Sequence, residues 1–127
     1  MTRDAEQYVR VFKTAWFSKA AKKASIPDAE LCLAIRQVML GQADDLGGGV
    51  YKKRLSRNQY RSIVLAKGGQ FWIYEYLFAK KDLANISEAQ LMDLRRLAKG
   101  YAAMTPMQID RLLKSNDFME ICHGNEA

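Results

Sequence analysis

Between Asp45 and Glu75 the chain carries no acidic residue and six basic ones, Lys52, Lys53, Arg54, Arg57, Arg61 and Lys67. Elsewhere 14 Lys and Arg face 14 Asp and Glu, so the formal charge of +6 belongs to this one stretch. A single-sign field on neighbouring strands attracts a polyanion and raises both its encounter rate and its affinity. The competing reading is a solvated edge whose lysines keep the sheet from pairing with other chains. Residue type adds chemistry to charge. Arg54 and Arg61 hardly ever deprotonate, and their planar forks suit a bidentate grip on phosphate oxygens. Lys52 sits among Lys53, Arg54 and Arg61, and neighbouring cations lower a lysine pKa toward the range where it accepts a proton.

Other reactive types are sparse. His123, the single histidine, falls in a polar tail where a solvated role is expected. Cys32 and Cys122 have neither CxxC nor Cys/His ligand spacing, so two separate thiols are expected, with no disulfide scaffold and no metal site. Gly47-Gly48-Gly49 precedes a strand rather than a helix and lacks a Gly-Lys-Ser/Thr ending, which favours a tight loop over a phosphate cradle. No cofactor is implied. Trp72, Tyr74, Tyr76 and Phe78 alternate with Phe71, Ile73, Glu75 and Leu77, and such a row either stacks nucleobases or packs as core. Core beneath helices is the expectation, with Tyr76 or Phe78, near the strand end, as the exceptions.

The elements that must position these residues follow from local pattern. Residues 8 to 13 read as a short strand, and Thr14 can cap a helix with Trp16, Phe17, Ala20, Ala21 and Ala24 on one side and Lys19, Lys22 and Lys23 on the other. Pro27 and Asp28 start a second helix bearing Leu31, Ile35, Val38 and Met39, which Gly41 ends. The two should form an antiparallel hairpin over one face of a sheet. Residues 44 to 49 form a loop, and strands at 50 to 56, 60 to 67 and 70 to 78 make a meander through the Lys67-Gly68-Gly69-Gln70 turn. Ala79 to Leu83 is a basic turn. Ser87 and Gln90 form a capping box for a helix with Leu91, Leu94, Leu97, Ala98 and Tyr101, ended by Lys99 and Gly100. Thr105 and Pro106 open another helix, and residues 118 to 122 add a short strand before a frayed tail.

The 127 residues suit a single domain with a real core. No apolar run approaches the roughly 20 residues that cross a bilayer, and Met1 to Gln7 lacks a signal-peptide core, so a cytoplasmic protein with no membrane contact is expected.

This order of elements resembles the RelE superfamily of bacterial toxins from type II toxin–antitoxin systems. Asp45-Leu46-Gly47-Gly48-Gly49-Val50, Tyr60-Arg61 and Phe78-Ala79-Lys80 are similar to its RelE-like branch, which includes HigB-type toxins. The resemblance covers about residues 8 to 101 and leaves 102 to 127 as a C-terminal helical extension of one toxin domain, 1 to 127. It implies an α+β, microbial-RNase-type fold: a small, mainly antiparallel sheet with the N-terminal helical hairpin on one face, and C-terminal helices. It also implies an mRNA endoribonuclease acting on the ribosome to inhibit translation, without a metal. Its implied partner is a cognate antitoxin, of helix-turn-helix type, that masks the basic groove.

Carried over by position, the resemblance assigns catalysis to Lys52, Arg54, Arg61 and Lys81. Attack by the RNA 2′-hydroxyl on the adjacent phosphate needs a proton acceptor, positive charge about the phosphorane and a donor for the departing 5′-oxygen. Lys52 is the candidate base, Arg54 and Arg61 hold charge, and Lys81 is the donor. Lys53, Arg57 and Lys80 add phosphate contacts, and Tyr76 and Phe78 are candidates to stack a base. Ser87 stands where many relatives have a tyrosine, a departure from the family pattern. The alternative is a non-enzymatic toxin of the same fold, a gyrase inhibitor of ParE type, or a nucleic-acid-binding co-repressor.

Overall fold

The computed structural model describes residues 9–68, 70–82 and 85–123. Tyr8 at the expected start of the first strand, Gly69 in the hairpin turn, Leu83 in the basic turn and the last residues of the tail lie outside them. Among the described residues the chain is α+β, with six strands and four helices: β1 (Arg10–Thr14), α1 (Ala15–Lys23), α2 (Asp28–Met39), β2 (Asp44–Gly47), β3 (Val50–Leu55), β4 (Tyr60–Lys67), β5 (Phe71–Ala79), α3 (Glu88–Ala102), α4 (Pro106–Lys114) and β6 (Phe118–Ile121). The strands form one sheet in the order β2-β3-β4-β5-β1-β6. Pairing is antiparallel except between β1 and β5.

The helix starts follow their capping residues. The Thr14 hydroxyl accepts from Phe17 N at 3.0 Å, and Ser87 and Thr105 each form a reciprocal box with the glutamine three residues on. Lys13 Nζ donates to Asp28 at 2.7 Å, tying β1 to the first turn of α2. α3 runs two residues beyond Gly100, its expected end, to Ala102. There the Tyr101 ring meets Phe118 edge-on at 5.4 Å and its hydroxyl donates to Glu75, contacts that outweigh the roughly 1 kcal/mol cost of a helical glycine.

The sheet is covered on both faces. α1 and α2 bury Phe17, Ala21, Leu31, Ile35 and Val38 against Val11, Leu55, Val64, Tyr74 and Leu77. The Tyr74 hydroxyl donates to Leu31 O at 2.7 Å, and complete burial pushes its pKa upward. α3 and α4 cover the opposite face through Phe12, Val50, Ile63, Leu65, Phe71 and Ile73. Strict alternation along β5 does not hold. Ile63 pairs with Tyr76 but Val64 pairs with Tyr74, so Glu75 is an extra residue, a β-bulge. Trp72 and Tyr74 keep to the α1–α2 face as expected. Past the bulge Leu77 takes that face, and Tyr76 and Phe78 pack with Ile63 and Leu65 on the other. Trp16, expected in the core, is instead 52% exposed, with its ring stacked on Tyr76. Met39, on the stripe expected to be buried, is 42% exposed.

The expected loop at 44 to 49 is the β2–β3 hairpin, with Asp44 opposite Lys52. Gly49 has φ +83°, and a Cβ there would stand 2.9 Å from Ala66 O, which explains the glycine. Arg95 of α3 lies over Gly47 and Gly48 and donates to the carbonyls of Leu46 and Gly47.

The C-terminal segment is part of the sheet. β6 pairs with β1, Phe118 stacks on Phe12 at 5.5 Å, and Ile109 of α4 joins the same cluster. Arg10 Nε and Nη2 each donate to the Glu120 carboxylate at 2.8 Å. Cys32 and Cys122, expected as separate thiols, are joined in a disulfide. Ninety residues separate them, a distance no local motif spans, and folding brings their Cα atoms to 5.4 Å, inside the disulfide range.

Two outcomes follow. Closing so long a loop is worth about 2–4 kcal/mol, so reduction should lower the urea midpoint of the parent and leave Cys122→Ala unchanged, as read by melts with and without reductant. Arg10 holds the Glu120 carboxyl below its usual range. A folded pKa below the unfolded value means the pair's contribution is complete above the unfolded value of about 4.3 and is lost as pH falls through the folded one. Glu120→Gln should therefore flatten the acid limb of a stability–pH profile.

Candidate active site

The antiparallel register of β3 and β4 sets Arg54 directly opposite Arg61 and Lys52 opposite Ile63. Val50, Ile63 and Leu65 lie on the α3 face, so alternation places Lys52, Arg54 and Arg61 there too. The next pairing sets Arg61 beside Phe78. Arg54, Arg61 and Phe78 thus form one lateral row across three strands, and Lys52, opposite Ile63 and in line with Tyr76, stands two residues along β3 on the same face. The bulge at Glu75 gives Phe78 and Tyr76 that face. Lys53 belongs to the opposite one, with Tyr51 and Leu55, and its Nζ donates to Gln42 O at 3.0 Å.

Each cation of that face has its own surroundings. Lys52 Nζ lies 3.7 Å from Asp44 and 3.4 Å from Asn85 Oδ1, just before α3. The bond to Asn85 is exposed, whereas the Lys52 side chain is 16% exposed against 60% for Asp44. Arg61 is 8% exposed, and its Nη1 donates to Asn58 O and Tyr60 O at 3.0 and 3.3 Å. Its charge is held by carbonyls, and among the described residues no carboxylate pairs with it. Arg54 is exposed. Two arginines in direct cross-strand apposition repel, which costs the free fold on the order of 0.2–1 kcal/mol.

The β3–β4 turn shapes the sheet end. Ser56, Arg57 and Asn58 have φ values of 53°, 55° and 71°, the left-handed region that side chains disfavour. The turn is held by Ser56 N donating to the Glu30 carboxylate of α2 and by Lys80 N donating to Gln59 O at 2.9 Å. These bonds bring Arg57, Lys80 and Lys81 around one hollow of about 710 Å³ that also includes Tyr60. Lys52 and Arg54 line a different hollow beside Gly41 to Asp44, and Arg61 is in the wall of neither. The sheet end therefore gathers the expected cations along two walls rather than in one cup.

Burial first, and the charge of Arg54 second, push the Lys53 pKa down. Ser87 is used by its helix and accepts from Gln90 N at 3.1 Å. Asp44, Asn85 and Glu30 escaped the sequence reading. Asp44 was visible as an acidic residue one hairpin away from Lys52; the other two meet the site only through tertiary contact.

A family model described as "RelE toxin of RelE / RelB toxin-antitoxin system" matches residues 9–121. No curated protein and no solved structure matches.

The cross-strand arginines give a measurable signature. Arg54→Gln should stabilise the fold by a few tenths of a kcal/mol at low ionic strength, and the gain should shrink as salt shortens the Debye length from about 30 to about 3 Å. Urea melts at both salt concentrations check it. A polyanion such as heparin should raise the melting temperature of the parent more than that of the variant.

Proposed function

The chain belongs to the RelE toxin family of toxin–antitoxin systems, and on that footing we propose that it is an endoribonuclease that cuts messenger RNA and so arrests translation. The observation that supports this most directly is the grouping of Lys52, Arg54 and Arg61 on one sheet face. Such a grouping holds repulsion that a scissile phosphate relieves.

In this reading the 2′-oxygen attacks the neighbouring phosphorus, the bond to the 5′-oxygen breaks, and the products carry a 2′,3′-cyclic phosphate and a 5′-hydroxyl. Lys52 takes the proton of the 2′-hydroxyl. Its contacts to Asp44 and Asn85 are long, at 3.7 and 3.4 Å, so substrate displaces them at small cost. Arg54, exposed, grips the phosphate oxygens, while Arg61, fixed by turn carbonyls, supplies positive potential that needs no reorganisation as charge develops. Lys81 gives the proton to the departing oxygen. Lys53, on the opposite face, adds to the field of β3, and Arg57 and Lys80 hold flanking phosphates. Orientation carries much of the work when the groups are weak acids and bases, and a ribosome that presents the message in the A site supplies that orientation. The cognate antitoxin, of helix-turn-helix type, covers the same cationic face.

Brief induction followed by mapping of transcript ends tests the proposal. New ends with 5′-hydroxyls are expected, together with growth arrest. Arg54→Gln and a Lys52→Ala, Arg54→Ala double variant, both folded, should lose on the order of 100-fold or more of the cutting. Arg61→Ala also loses turn contacts, so its circular dichroism must be compared before its activity. Arrest that persists through the Lys52 and Arg54 changes, or arrest with intact transcripts and damaged DNA, would count against cleavage.

A further inference from the structure

A second basic feature lies outside the row just described. α1 begins where β1 leaves the sheet, two residues past Lys13, the partner of Tyr74. Tyr76 thus lies beyond the paired part of β1, and Trp16, in the first turn of α1, lies over it with ring centroids 5.1 Å apart and planes 26° apart. Tyr76 in turn leans on Phe78 at 5.8 Å. The rings wall a cleft of about 800 Å³ whose other sides include Lys19 and Lys23 of α1, Lys81 and Tyr60, with Asp82 as the one carboxylate against three lysines. A cleft of that size takes a nucleotide.

Packing does not account for these residues. Trp16 leaves 52% of its surface in solvent. Lys19 and Lys23 stand one helical turn apart with like charge, a pair that weakens a helix by a few tenths of a kcal/mol. The helix dipole favours Lys23 at the C-terminal end but gives nothing to Lys19 in the middle. Among the described residues no carboxylate lies within ion-pairing distance of Lys19, Lys23 or Lys81. A half-exposed indole beside unpaired cations has one ligand chemistry that uses both: a flat π-face with an adjoining phosphate. An acidic peptide satisfies the lysines and leaves the ring with nothing planar to stack.

We infer that the cleft between α1 and the end of β5 is a subsite for single-stranded RNA, in which a base stacks on Trp16 and Tyr76 while Lys19 and Lys23 hold the adjoining phosphates. The inference rests on the ribonuclease reading for the identity of its ligand. Lys81 also lines the hollow that holds Arg57 and Lys80, and the file Trp16–Tyr76–Phe78 ends at the register partner of Arg61. A nucleotide seated here is therefore a neighbour of the one presented to the row, and the cleft sets which flanking base is preferred.

The test uses an oligoribonucleotide with 2′-O-methyl groups, which binds but offers no 2′-hydroxyl to attack. Trp72→Phe leaves Trp16 as the sole indole; its emission should be quenched saturably by the single strand and little by the same sequence as a duplex. Should Trp72→Phe not fold, the difference between the parent and Trp16→Phe reads the same signal. Trp16→Ala should weaken binding about 5- to 150-fold, as loss of one stacked base does. The Lys19→Ala, Lys23→Ala double variant should reduce the slope of log affinity against log salt by about 1.4. Binding with Trp16 silent and Trp16→Ala unchanged overturns the subsite, as does emission that answers to the antitoxin and not to RNA. Quenching in a protein that leaves cellular transcripts whole upholds the subsite and removes the ribonuclease reading; transcript cutting with Trp16 silent does the reverse.

Discussion

The bulge at Glu75 governs which side chains meet at the sheet end. A regular β5 would keep Tyr76 and Phe78 beneath α1 and α2 with Trp72 and Tyr74, and would turn Leu77 toward the cations. One unpaired residue reverses that assignment for the last part of the strand. The bulge is held from outside the strand. Tyr101 of α3 donates to the Glu75 carboxylate at 2.8 Å, and burial, only partly offset by that bond, raises the carboxyl pKa. The helix that covers the α3 face is thus tied to the residue that decides what else occupies that face.

Charge is organised with equal economy. Where the fold wants stability it pairs opposite charges: Arg10 with Glu120, Lys13 with Asp28. At the sheet end it does the contrary, setting Arg54 against Arg61 and Lys19 a turn from Lys23. Each conflict is small beside a buried side chain worth roughly 1.5–3 kcal/mol, and the twofold-covered sheet carries them. Local rules broken without a compensating contact are where function is to be sought.

Much of this was legible in the chain. Period-two patterning, the caps at Thr14, Ser87 and Thr105, and the paired glycines after Lys67 place the helices and every strand but β2, read as loop, within a residue or two. The acid-free interval from 45 to 75 marks the cationic strands. The bulge escaped because nothing in Tyr74-Glu75-Tyr76 departs from alternation; only pairing with Ile63 and Val64 reveals it. Trp16 escaped because helical spacing groups it with Phe17 and Ala20, while its real neighbour is on β5. The disulfide escaped because long-range proximity of two cysteines has no local trace.

That disulfide and the ribosomal substrate proposed above pull toward different compartments, since reducing interiors keep thiols apart. The sheet order limits the conflict. Cys122 follows β6, at the opposite edge from β2 and β3, and β6 is held to β1 by its own ladder, by the bidentate Arg10–Glu120 pair and by Phe118 against Phe12. The cationic row instead depends on β3, β4 and β5, on the Glu30 clasp of the turn and on the Arg95 clasp of the β2–β3 hairpin. None of those contacts runs through Cys32 or Cys122. Loss of the cross-link therefore bears first on β6 and α2, and it reaches the basic face only through Glu30, which shares α2 with Cys32.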